Sequence, residues 1–86
     1  SYRQERFLNK RAAVYFKQNK TDKAVEDYTK VTKLAPQNAA AWLGLTRIFV
    51  QVGAKDKAEL SLSEFIKLKP NNPNVNQLRQ KISSMK

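Results

Sequence analysis

The chain has 86 residues, 41% of them hydrophobic and 28% charged, with a formal net charge of +10 and neither cysteine nor histidine. A chain this long forms one small domain that buries about 60% of the surface its unfolded form exposes. The missing residue types exclude disulfides, structural zinc, thiol nucleophiles and imidazole bases, and no apolar run approaches the roughly 18 residues of a membrane span. The charge favours acidic partners and fast encounter with them.

In chain order, Phe7, Leu8, Ala12, Tyr15 and Phe16 recur at helical spacing, which predicts a helix from about Tyr2 to Gln18. Asn19 ends it in the left-handed conformation. Thr21 or Asp22 is expected to cap a second helix with the apolar stripe Ala24, Val25, Tyr28, Val31 and Leu34, which Pro36 closes. Asn38 caps a third, whose buried face is Ala41, Trp42, Leu45, Ile48, Phe49 and Val52, up to Gly53. The fourth runs from about Asp56 to Lys69, with Ala58, Leu62, Phe65, Ile66 and Leu68 inward, and stops at Pro70. Asn72 followed by Pro73 starts a fifth, with Val75, Leu78, Ile82 and Met85 on one side. Asn76, Gln77, Gln80, Lys81 and Ser84 form the polar side that a terminal helix turns to water.

These elements repeat. Asp22-Lys23-Ala24, Lys33-Leu34, Pro36 and Asn38 recur 34 residues on as Asp56-Lys57-Ala58, Lys67-Leu68, Pro70 and Asn72. Asn19 and Gly53 stand in the same register and both accept positive φ. A period of this length belongs to a helix-turn-helix unit that cannot bury its apolar face alone and stacks on copies of itself.

The residues resemble the tetratricopeptide repeat family, with its pattern Trp-x2-Leu-Gly-x2-Tyr, Ala-x3-Phe and Pro. Trp42, Leu45, Thr46, Phe49, Ala58, Leu62 and Pro70 occupy those places in the second unit; Leu8, Arg11, Ala12, Tyr15, Ala24, Tyr28 and Pro36 do so in the first. Arg11 departs from the pattern, standing where an inward leucine is usual. The resemblance implies an all-α, right-handed superhelical stack of antiparallel helix hairpins with five helices. Repeat 1 spans about 5–38, repeat 2 about 39–72 and a capping helix about 73–85. Two repeats are fewer than such stacks usually contain. Together with an opening residue other than methionine, this suggests a piece of a larger protein that continues upstream, or one that self-associates through Tyr2 and Phe7.

The resemblance also implies a function. The first helix of each repeat lines a concave groove for peptides, which points to Arg6, Asn9, Ala13, Phe16, Lys17, Leu43, Arg47, Val50 and Gln51 as the peptide-binding residues of a protein-protein interaction scaffold. Apolar side chains rimmed by cations suit a partly acidic protein or peptide partner. Some members clamp a chaperone tail's carboxylate with Lys, Asn and Arg; the matching Asn9, Ala13, Gly44, Asn74 and Leu78 do not supply that set. Nucleic acid is the lesser alternative, because the aromatics fall on predicted core stripes while the lysines collect on second helices and turns. No catalytic constellation emerges: Glu26 and Asp27 diverge by about 100° on a helix, and Ser61 and Ser63 lack an activating base. No cofactor or metal is called for.

Overall fold

A computed structural model describes all residues from Ser1 to Lys86. It contains five helices and no strand: α1 (Tyr2–Lys17), α2 (Thr21–Leu34), α3 (Ala39–Gln51), α4 (Lys55–Leu68) and α5 (Asn74–Ser83). The helices α1 and α2 form one antiparallel hairpin, α3 and α4 a second, and α5 lies against α3 and α4.

The helix ends follow from local chemistry. Ser1 accepts from the Gln4 amide at 3.3 Å, and Asn38 from the Ala41 amide at 3.2 Å. Asn72 Oδ1 takes the Asn74 amide at 2.9 Å while Pro73 is already in the αR region, so the Asn-Pro start works as expected. Asn19 (φ 63) and Gly53 (φ 77) end α1 and α3 in matching Schellman turns. In both, the next amide returns to a carbonyl five residues back: Lys20 to Tyr15 and Ala54 to Phe49, each at 2.8 Å. Neither Thr21 nor Asp22 caps α2; the position before that helix is Lys20, with no side-chain bond. The Schellman turn fixes the chain's entry into α2, leaving Thr21 and Asp22 inside the first turn.

Two core clusters lie side by side. The first joins Leu8 and Ala12 of α1, Ala24, Tyr28 and Val31 of α2, and Ala41, Leu45 and Ile48 of α3. The second joins Ala58, Leu62 and Phe65 of α4 to Val75, Leu78 and Ile82 of α5, and half-buried Trp42 and Phe49 touch both. Trp42 Nε1 donates to the Pro36 carbonyl at 2.8 Å, tying the indole to the inter-repeat turn. Gly44 takes the tip of the Tyr28 ring, where a Cβ would overlap Cζ and both Cε atoms.

Three expected core residues are outside. Phe7 is 58% exposed, and Leu34 and Val52 are also exposed. Leu34 is the last residue of α2, and Val52 follows the end of α3. Phe7 carries the Arg11 guanidinium 5.0 Å from its ring centroid. Arg11 is partly exposed and paired: Nε and Nη2 donate to Asp27 Oδ2 and Oδ1 at 2.7 and 2.9 Å. That bidentate bond holds the Asp27 carboxyl below its usual range despite 2% exposure, and raises Arg11. At the corresponding crossing of the second hairpin, Thr46 Oγ1 lies 2.9 Å from Ser61 Oγ, and Ser61 donates to the Lys57 carbonyl at 3.0 Å.

Candidate peptide groove

The odd-numbered helices line one side of the stack, and a cavity of about 420 Å³ opens among them. From α1 comes Phe16; from α3 come Arg47, Val50 and Gln51; from α5 come Asn74, Gln77, Leu78 and Lys81. Phe16, Val50 and Leu78 make an apolar floor, the first two half-buried against the core clusters. Arg47 and Lys81 are exposed at its rim, and the three side-chain amides can each donate to and accept from a peptide backbone.

Four of the nine predicted residues, Phe16, Arg47, Val50 and Gln51, therefore meet in one cavity. The other five do not line it. Asn9 is held by Asn38, its Nδ2 donating to Asn38 Oδ1 at 3.2 Å, and Asn38 Nδ2 donates in turn to Glu5 Oε1 at 3.0 Å. Leu43 is half-buried on the second core cluster. Arg6 stacks over Tyr2 with 5.7 Å to its centroid, and Ala13 and Lys17 are exposed along α1. The α5 residues escape recognition as a wall in the sequence, because Gln77 and Lys81 read as the solvated back of a cap. A signal is present, since Lys81 stands one repeat after Arg47 and Leu78 one repeat after Gly44.

Charge is unevenly distributed over the helices. On α2, Asp22, Glu26 and Asp27 offset Lys23, Lys30 and Lys33; on α4, Asp56, Glu59 and Glu64 offset Lys55, Lys57 and Lys67. The helices that line the groove have no such balance. There is no acidic residue on α3 or α5, and the one on α1, Glu5, is bonded to Asn38. The only ion pairs are Arg11–Asp27 and Lys67–Glu64, so Arg47 and Lys81 face the cavity without a carboxylate. Burial pushes the Tyr28 phenol up against the pull of nearby Arg47. The lysines expected to make the second helices basic are matched in number by carboxylates on the same helices, of which Asp27 is bonded to Arg11 of α1, and the formal surplus belongs to α1, α3, α5 and the connections.

A family model described as tetratricopeptide repeat matches residues 15–82. The chain belongs to the tetratricopeptide repeat family. No curated protein matches it significantly. Tetratricopeptide repeats mediate protein-protein interactions, and the two hairpins and α5 reproduce the stacked plan of the family. No helix is long and apolar enough to cross a membrane, and no group of His, Cys, Asp and Glu side chains could hold a metal ion.

Proposed function

We propose that this tetratricopeptide stack binds a partly acidic peptide segment of a partner protein in the groove between α1, α3 and α5, within a multiprotein assembly. The observation that carries the reading is the segregation of charge. Helices facing away from the groove are internally neutral, while Arg47 and Lys81 overlook an apolar floor with no carboxylate of their own. A cation in that position pairs with a carboxylate from outside, and its desolvation beside Phe16, Val50 and Leu78 strengthens the pairing. The amides of Gln51, Asn74 and Gln77 suit the backbone of an extended segment, whose apolar side chain enters the cavity. The reading is non-catalytic and needs no cofactor.

The test is fluorescence anisotropy with a labelled peptide of alternating glutamate and leucine, at physiological ionic strength, against the wild type and two charge reversals. Arg47→Glu should weaken binding about tenfold or more, whereas Lys30→Glu on α2 should change it less than about twofold. Equal losses from the two would assign the binding to diffuse charge and overturn the groove. Stronger, steeply salt-dependent binding of a generic RNA, unaffected by Arg47→Glu, would overturn it as well.

A further inference from the structure

Positions one repeat apart on α1, α3 and α5 form rows that run across the groove, crosswise to the helices. Ala13, Arg47 and Lys81 make one such row, all three exposed. Arg47 and Lys81 line the cavity, and Ala13 stands one turn before Phe16, which lines it too. In this row cations follow one another on neighbouring helices, whereas Arg6 and Lys17 are each succeeded on α3 by a neutral residue, Ala40 and Gln51. Since α3 packs directly on α5, and packed helices lie about 8–10 Å apart, Arg47 and Lys81 rise from backbones held at that separation.

Taking the groove as the peptide site, on which the inference rests, we infer that it reads the spacing of two acidic residues. The occupant is a segment in polyproline-like extension that crosses the helices, with carboxylates at i and i+3 on Arg47 and Lys81. The amides of Gln51, Asn74 and Gln77 favour such a segment over a helix, whose backbone groups are already bonded to one another. Its rise of about 3.1 Å per residue carries i to i+3 about 9 Å and brings both side chains to the same side. A flatter strand returns to one side after two residues, about 7 Å, which falls short, or after four, about 13 Å, which overshoots. An intervening apolar side chain then meets Phe16, Val50 and Leu78. No carboxylate on the two helices competes, since α3 and α5 carry none. Ala13 ends the row, so a third acid three residues further finds no partner on α1. Diffuse attraction to a chain of net charge +10 is indifferent to spacing, which is what sets the two apart.

The test uses labelled peptides of one composition, two glutamates and two leucines among glycine and serine, with the glutamates one, two, three or five residues apart. They are titrated by anisotropy into the wild type, Lys81→Ala, Ala13→Arg and Arg47→Glu; all three positions are exposed, and circular dichroism checks that each variant retains its helices. In the wild type the three-residue spacing should bind about fivefold tighter than adjacent glutamates, and Lys81→Ala should erase that preference. A third glutamate, three residues beyond the pair at either end, should change wild-type affinity less than about twofold. In Ala13→Arg it should gain about fivefold at one of the two ends, which also gives the direction of the chain across the groove. Equal affinity at every spacing, with Arg47→Glu still abolishing binding, would overturn the register and leave the groove standing. A preference that survives Lys81→Ala, or no gain in Ala13→Arg, would overturn the register as well. Binding indifferent both to spacing and to Arg47→Glu would overturn the groove itself.

Discussion

Replacing Gly44 by alanine sets two effects of opposite sign against each other. In a helix interior the change is favourable by about 0.8–1 kcal/mol, because glycine loses more backbone freedom on folding. Here the new methyl would occupy the space of the Tyr28 ring, overlapping Cζ, Cε1 and Cε2. Tyr28 is buried among Ala24, Val31 and Ile48 and cannot swing aside without displacing the first core cluster. Overpacking of this kind costs about 1–3 kcal/mol. Overlap wins, so Gly44→Ala should lose about 1 kcal/mol net, a fall in midpoint of roughly 4–8 °C for a domain of this size. In a Tyr28→Leu background the clashing ring atoms are gone and the sign should reverse, with Gly44→Ala gaining about 0.5–1 kcal/mol. The second interface offers a precedent, for there the residues equivalent to Tyr28 and Gly44 are Leu62 and Leu78, both in one cluster. Urea unfolding of the four proteins of this cycle, followed by far-ultraviolet circular dichroism, gives the coupling directly. The same sign in both backgrounds would refute the steric account of Gly44.

The remaining predictions concern the ion pair, a turn and the groove. The Asp27 carboxyl is depressed by Arg11, so the pair's contribution is fully present above the unfolded carboxylate range near pH 4 and is lost as pH falls through the lower native value. Asp27→Asn should therefore lower the urea midpoint at pH 7, and the gap to wild type should narrow below about pH 4; a gap that stays constant at lower pH would contradict this. Gly53 has φ 77, and a Cβ placed there would meet nothing within 4 Å, so Gly53→Ala should cost about 1 kcal/mol through backbone strain alone. Gly53→Asn should cost less, as Asn19 holds φ 63 in the matching turn, and thermal melts of the two variants compare them. Lys81→Glu should weaken the acidic peptide about as much as Arg47→Glu, whereas Arg79→Glu, outside the cavity, should leave its affinity within about twofold.

The period and the punctuation are readable in the sequence because they rest on local chemistry. Asn38, the Asn72-Pro73 pair and the positive-φ residues Asn19 and Gly53 act through their own backbone, and all stand where the spacing predicts. Phe7 and Arg11 are not readable in this way. Their positions belong to a helix face, and whether that face is covered depends on what lies beyond α1, about which periodicity is silent. The Arg11 contact needs Asp27, which adjacency to Glu26 makes look like one more solvated carboxylate. The groove is half visible. Phe16, Arg47, Val50 and Gln51 fall in place from helix-face mapping, but Gln77 and Lys81 have the composition of a solvent face, and only the packing of α5 beside α3 turns them into a wall. Asn9 is drawn away by a hydrogen bond to Asn38 across the interhelical junction, which no one-dimensional pattern encodes.

Two hairpins of similar length and one spacing could in principle exchange partners, α1 closing on α4 and α2 on α3. The polar pairs at their crossings forbid it. Asp27 and Ser61 stand one repeat apart, bonded to Arg11 and to Thr46 respectively, and Leu45 holds the place of Arg11 in the second unit, so the exchanged arrangement would set Arg11 against a serine and leave Asp27 beside Leu45 with no cation. A buried carboxylate without its partner costs several kcal/mol, comparable to the whole stability of a small domain. The residue that breaks the repeat pattern thereby tells each helix which of two near-identical neighbours is its own, and keeps a repetitive chain from assembling out of order.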